Sequence, residues 1–332
     1  MLSQPQVRRF AAESGLRDMM IAEKEIVLTF LLQLLSERGI LDRFAFKGGT
    51  CLRKMFIGSQ GRFSTDLDFT GLDEHDHETV ILDMMAAFEE PFHGIQFTIQ
   101  DNSYYETQDG LSWGVSPVYV HSWNTGGESE LRLQISRRET PALATERRPQ
   151  CKQSYFRLLP FAPAEIICLA LPEIIAEKIR ACYQRSKARD IYDLSTFSNR
   201  PLDQPLVRRL AVLKLWQARD TFDPAHLIQK FEDGRAFDWQ DLSQLVRRTM
   251  PVDRERITAD CVRGYRFLVD LTEEEARLAN DPHQQERDLR QKLRTEIRPC
   301  LPLRDSDRVT GASGTSVRAC ATRRRRGLSG GL

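Results

Sequence analysis

Apolar positions along this chain of 332 residues change their spacing from element to element, and the changes divide it into a mixed first half and a helical second half. Over residues 17–38, Ile21, Ile26, Val27, Phe30, Leu31, Leu34 and Leu35 recur at three and four with Gly39 behind them as a stop, which predicts one amphipathic core helix. The run Phe44-Ala45-Phe46 predicts the start of a sheet, and residues 50–56 a short helix carrying Arg53 and Lys54. Asp66-Leu67-Asp68-Phe69 alternates polar and apolar, as a strand does. A helix is expected from the acidic segment 73–78 to about residue 90, buried through Val80, Ile81, Met84, Met85 and Phe88. Strands are expected at 95–100, 115–121, 130–136 and 166–171, with an irregular basic loop over 140–157. Pro172 then opens a helix whose buried stripe is Ile174, Ile175, Ile179 and Cys182. Three-four periodicity returns over 206–216, 224–231, 239–248 and 254–279. Beyond Pro299 it dissolves into Ser, Gly, Thr and Arg, the composition of a disordered basic tail.

The chemistry gathers at the strand of Asp66 and Asp68. As a strand it turns both carboxylates to one face and Leu67 and Phe69 to the other. Two adjacent carboxylates repel, and a cation offsets that repulsion. Mg²⁺ suits the position, because it takes oxygen ligands from one or two carboxylates together with substrate phosphates. An exposed strand end with two solvated aspartates would carry the same D-x-D. Upstream, Gly48-Gly49-Thr50 follows an apolar run and precedes a helix. Paired glycines let backbone approach a ligand, and a helix N-terminus presents N–H groups to phosphate.

Phe46 to Thr50, Leu52-Arg53 and Arg62-Phe63-Ser64-Thr65-Asp66-Leu67-Asp68-Phe69 resemble the first motif block of the AbiEii/AbiGii toxin nucleotidyltransferases. Glu177-Lys178-Ile179-Arg180-Ala181 and Arg189-Asp190-Ile191-Tyr192-Asp193-Leu194 are similar to that family's second block. The resemblance implies an α+β fold: a mixed sheet flanked by helices over 1–160, a mainly helical domain over 161–298, then the tail at 299–332. It implies transfer of a nucleotidyl group from an NTP to an acceptor, with tRNA as the first choice, and a cognate antitoxin as partner. In that scheme Gly48, Gly49 and Thr50 hold the β- and γ-phosphates, Arg53 adds positive charge, and Asp66 and Asp68 hold Mg²⁺. Ser64 supports the turn, Lys178 contacts phosphate, and Asp190 and Asp193 complete the acidic set or position the acceptor. The family's fold commonly carries a third carboxylate on the strand at 130–136, where this sequence offers Gln134, a group that orients a hydroxyl but takes no proton.

Each of these residues has a plainer reading too. Lys178 lies four after Ile174 and four before Cys182, where a lysine is more often a snorkelling stem, and only the family resemblance turns it towards phosphate. Arg189 and Asp193 stand at i and i+4, the spacing of a routine helix ion pair, and Asp190 could cap a helix. The cluster Asp73-Glu74-His75-Asp76-His77-Glu78 has metal-binding side chains, but a helix N-terminus accounts for its acidity.

Composition narrows the setting. Formal net charge is +1, so overall charge announces no nucleic-acid partner, although Arg208, Arg209, Lys214, Arg247 and Arg248 are candidate phosphate-backbone contacts. Seven cysteines without a C-x-x-C pair point away from zinc or a disulfide framework and towards a reducing cytoplasm. No apolar run suits a membrane span or a signal peptide. Two other classes remain open: a kinase-like or protein-modifying enzyme using the same nucleotide site, and a decayed RNA- or protein-binding module.

Overall fold

The computed structural model describes residues 3–297 apart from 17, 75 and 123–126. The basic segment 299–332, expected to be disordered, lies outside them. Helices α1 (Gln4–Ser14) and α2 (Met19–Glu37) lead through a 3₁₀ turn to β1 (Phe44–Lys47) and α3 (Gly48–Cys51), which runs on as a π-helical turn over Leu52–Ile57. Then come β2 (Asp66–Gly71), α4 (His77–Ala87), β3 (Ile95–Thr98), β4 (Tyr104–Glu106), β5 (Ser112–Val115), β6 (Val118–His121), β7 (Ser129–Glu130), β8 (Arg132–Ser136), β9 (Glu146–Arg148) and β10 (Ile166–Cys168). The remainder is helical: α5 (Leu171–Gln184), α6 (Ala188–Phe197), α7 (Gln204–Gln217), α8 (Pro224–Asp233), α9 (Leu242–Leu245), α10 (Arg254–Tyr265), α11 (Glu273–Ala279) and α12 (Arg287–Thr295). No helix among the described residues is long and apolar enough to cross a membrane.

A seven-stranded mixed sheet in the order β4-β5-β8-β2-β1-β10-β9 forms the frame, and β3-β6-β7 forms a second, smaller sheet. β2 pairs parallel with β8 and antiparallel with β1, so the strand of the two aspartates is central. β10 pairs with both β1 and β9, which puts the expected boundary at residue 160 inside a sheet. Its successor α5 packs against α6 and α7.

Several expected elements divide for identifiable reasons. Residues 115–121 are two strands in two sheets, because Pro117 lacks the N–H a continuous ladder needs. The expected strand at 130–136 divides in the same way at Leu131, whose N–H donates to the Pro117 carbonyl at 2.8 Å. The chain thus changes sheets twice at one bonded crossing. The run 254–279 breaks after Tyr265 into a 3₁₀ turn and α11, and 239–248 yields only the single turn α9. α1 and α12 were not expected from the pattern, though Pro5 with a Ser3–Gln6 capping box starts the first, and Leu289 and Leu293 anchor the second.

α2 is buried on nearly every side from Ile21 to Leu35, and burial extends to its charges. Glu25 ion-pairs with Arg53 at 3.1 Å and Lys54 at 3.3 Å, all three about 1% exposed. Lys54 also donates to the Glu25 carbonyl and to Thr29 Oγ1, each at 2.9 Å. Burial lowers the Lys54 pKa against the opposing pull of Glu25. Arg53 donates to the Gly61 carbonyl at 2.6 Å and lies 3.7 Å from the Phe63 ring centre. This corrects the expectation that Arg53 faces phosphate: the turn of α3 aims it into the core, where it locks the helix to α2. Glu25→Ala would leave both cations buried without their shared carboxylate, and should cost about 3–5 kcal/mol in denaturant unfolding. A loss under about 1 kcal/mol, the range of an exposed pair, would contradict this assignment.

Candidate active site

Asp66 and Asp68 leave β2 on one face, while Leu67 and Phe69 enter the core on the other. Lys47 is the register partner of Asp68 on β1, and Gln134 its partner on β8. Asp66 is opposite Arg132. The close approach of α3 is what shapes this corner. Gly48 has φ of +76°, and a Cβ there would fall 2.4 Å from Asp68 Oδ2. Only glycine satisfies both conditions. At Gly49 a Cβ would fall 2.4 Å from Arg62 Nη2 and 3.2 Å from Ser64 Oγ. Thr50 is fully buried and donates from Oγ1 to the Asp66 carbonyl, so its hydroxyl ties α3 to β2 and is already taken.

The second motif block folds over this corner as a buried ionic chain. Lys178 on α5 lies 2.8 Å from both Asp190 and Asp193 on α6. Asp193 accepts two bonds from Arg62, at 2.8 and 2.7 Å, and Asp190 accepts from Arg185 at 2.8 and 3.2 Å. Burial alone would raise the Asp190 pKa, but Lys178 and Arg185 hold it well below the usual carboxylate range. Burial likewise works against the charges of Lys178 and Arg62, and the two aspartates reverse that, so both cations are held above their usual pKa. The routine pair of Arg189 with Asp193 does not form; Arg189 stands 4.0 Å from Asp66 instead. Asp190 is not a cap but a fully buried third residue of α6. Both aspartates therefore serve cations, and neither lines the cleft as a second acidic cluster.

That cleft, about 320 Å³, opens beside Asp68. Five cations line it (Lys47, Arg138, Lys178, Arg180 and Arg185), against the acids Asp68 and Glu177. Glu177 is ion-paired with Lys47 at 3.2 Å and with the buried Lys214 at 3.4 Å. Asp68 is half-buried, and burial followed by repulsion from Asp66 raises its pKa in spite of Lys47, Lys178 and Arg189. A carboxylate pair short of positive charge, with Gly48 leaving room beside it, fits a divalent cation. Among the described residues no group of three or more His, Cys, Asp or Glu forms a metal cage. An ion at Asp66 and Asp68 would complete its oxygen shell from substrate or water.

The family model of the nucleotidyl transferase AbiEii toxin, type IV toxin–antitoxin system, matches residues 29–312. The chain belongs to that family. Among solved structures it is similar to MenT4, a nucleotidyltransferase toxin of Mycobacterium tuberculosis H37Rv. The identity is 28% and the TM-score 0.73, over 89% of this chain and 99% of that one. A putative nucleotidyltransferase of H. pylori is more distant, at 18% identity and TM-score 0.46 over 76% of this chain and 96% of the other. No curated protein matches the sequence.

In this AbiEii-family nucleotidyltransferase the motif blocks contribute more residues to the cleft than the sequence reading named. Lys47 sits inside the first block and Arg180 inside the second, two positions after Lys178. Arg138 and Arg185 had no motif to mark them. Conversely, several basic candidates for RNA contact are occupied internally. Lys214 is 1% exposed among Glu139, Glu173 and Glu177. Arg208 and Arg209 pair with Glu275, and Arg247 donates to the Ser59 carbonyl.

The ionic chain carries a pH signature. A carboxyl whose pKa is depressed on folding contributes stability above its unfolded value, near 3.9, and loses it as pH falls through the folded value. Asp190→Asn should therefore lower unfolding free energy at pH 7 by about 3–5 kcal/mol. It should also flatten the decline in stability below about pH 4 relative to the parent. Equal acid slopes for the two proteins would contradict the depressed pKa.

Proposed function

We propose that this chain transfers the nucleotidyl group of an NTP to an RNA acceptor, tRNA first, as a toxin held in check by a cognate antitoxin. The observation that carries the reading is the meeting of a cation-lined cleft with a paired-carboxylate edge at Asp68. Lys47, Lys178, Arg138, Arg180 and Arg185 supply positive charge for a triphosphate. The N–H groups of Gly48 and Gly49, at the start of α3, face the β- and γ-phosphates. The acceptor hydroxyl oxygen forms a bond to the α-phosphorus and gives up its proton to solvent water, while the bond from that phosphorus to the β-phosphate oxygen breaks and pyrophosphate leaves. Gln134, beside Asp68 in register, orients the hydroxyl but takes no proton. Mg²⁺ bound at Asp66 and Asp68 would supply charge stabilisation for the entering and leaving oxygens. Ser64 and Thr50 act behind these residues, keeping the α3–β2 corner in shape.

The reaction belongs in a reducing cytoplasm, where NTP, Mg²⁺ and tRNA coexist; Cys51, Cys151, Cys168, Cys182 and Cys261 are all free thiols. The test is incubation of the purified protein with total RNA, Mg²⁺ and each α-³²P-labelled NTP in turn. Label should enter a tRNA-sized band with a preferred NTP and vanish with EDTA. It should fall by about 10²-fold or more in Asp66→Ala, the scale of losing a group aimed at transition-state charge. Label on protein in place of RNA would favour a protein-modifying enzyme. Silence with every NTP would favour a decayed binding module, with Gln134 the first position to revert to a carboxylate.

A further inference from the structure

The sheet face continues past Gln134, which lines the cleft, and beyond Gln134 the reading above gives it no task. From Asp68 the hydrogen-bonded register runs to Gln134 on β8, Gly114 on β5 and Tyr105 on β4. Residues opposite one another on neighbouring strands share a face, so these four look out on one side. Gly114 is the floor: a Cβ there would lie 2.5 Å from the Tyr105 hydroxyl and 2.5 Å from the Leu133 carbonyl. The missing side chain is what lets the tyrosine lie down over the sheet. Arg132, the register partner of Asp66, donates from Nε to the Tyr105 hydroxyl at 2.9 Å, and its guanidinium carbon is 5.1 Å from the ring centre. Arg132 is exposed and Tyr105 half-buried. The bond to Tyr105, with the charges of Asp66 and Asp68 behind it, holds the Arg132 pKa above its usual value against its partial burial.

We propose that Tyr105 and Arg132, lying over Gly114, form a shelf that takes an unstacked nucleobase of the acceptor strand and delivers its hydroxyl to the Asp66 side of the site. The inference rests on the nucleotidyl-transfer reading and deepens it. The cleft and the shelf, which adjoin at Gln134, differ in the way two substrates would require. The cleft has five cations and suits a triphosphate. The shelf has one cation, one ring and open access, which suits a base and a single backbone phosphate. Aromatic rings and guanidinium planes bind the bases of single strands by stacking, with little sequence preference. Gln134 stands between shelf and Asp68, where a hydroxyl presented from the shelf would meet it. A protein side chain as acceptor is the competing occupant.

The test uses the full chain with Tyr105→Ala, Tyr105→Phe and Arg132→Gln. Binding of a fluorescein-labelled single-stranded RNA is read by anisotropy, binding of a fluorescent NTP in parallel, and Tm is recorded for each variant. Tyr105→Ala should weaken RNA binding about tenfold, and Tyr105→Phe, which keeps the ring, by no more than about threefold. NTP affinity should be the same in all three variants. RNA binding by Tyr105→Ala equal to the parent, at an unchanged Tm, would overturn the shelf. If Tyr105→Ala fails to fold, Arg132→Gln decides on the same readout, since its side chain is exposed. Transfer to RNA with an unaltered KM for RNA in these variants would sink the shelf and leave the transfer reading standing. Loss of RNA binding in variants of a protein that transfers no nucleotide would do the reverse. Labelling of protein alone, equal in parent and variants, would overturn both.

Discussion

Five side chains in a row hold the candidate site together: Arg185, Asp190, Lys178, Asp193 and Arg62, alternating in sign and largely buried except at the Arg185 end. Burying charge is costly, and removing any one member leaves its neighbours without compensation. The row links three separate pieces of chain, namely the turn before β2, α5 and α6. Its geometry fixes where Lys178 meets the cleft and, through Arg62 behind Gly49, how closely α3 approaches β2. The carboxylate pair, the glycine corner and the cation-lined cleft all depend on that one set of contacts.

The same arrangement separates two kinds of charge that look alike in one dimension. Asp66 and Asp68 are crowded by each other and only partly compensated, which is the condition a divalent cation relieves. Asp190 and Asp193 are each shared by two cations. Lysines divide likewise: Lys47 and Lys178 border the cleft, whereas Lys54 and Lys214 are core residues held by Glu25 and by Glu139, Glu173 and Glu177. The chain thus uses some of its charge to fasten helices to the sheet and some to line the cleft.

How much of this was legible in the sequence depended on the range of the interaction. The strand of Asp66 and Asp68, the turn at Gly48 and the placement of Lys178 beside a buried stripe follow from local periodicity, and the structure has them where the pattern put them. Arg53 was misjudged because a basic residue on a short helical turn reads as exposed; its partner Glu25 is 28 positions away on another helix. Lys214 was misjudged for the same reason, and the partners of Asp193, Arg62 and Lys178, likewise come from other segments. The two sheets escaped detection because Pro117 and Leu131, 14 positions apart, bond to each other across the crossing, a contact that strand periodicity does not report. Tyr105 and Arg132, far apart along the chain, had no motif at all, and only the register of four strands sets them beside Asp66.

The central claim is that Asp66 and Asp68 are the metal-facing pair while Asp190 and Asp193 are committed to Lys178, Arg62 and Arg185. A crystal structure with Mg²⁺ and a non-hydrolysable NTP analogue tests it most directly. The account predicts the metal on Asp66 and Asp68, the triphosphate among Lys47, Lys178 and Arg180, and the buried ionic row intact. Asp190 or Asp193 found ligating the metal, with Lys178 or Arg62 turned away, would contradict it.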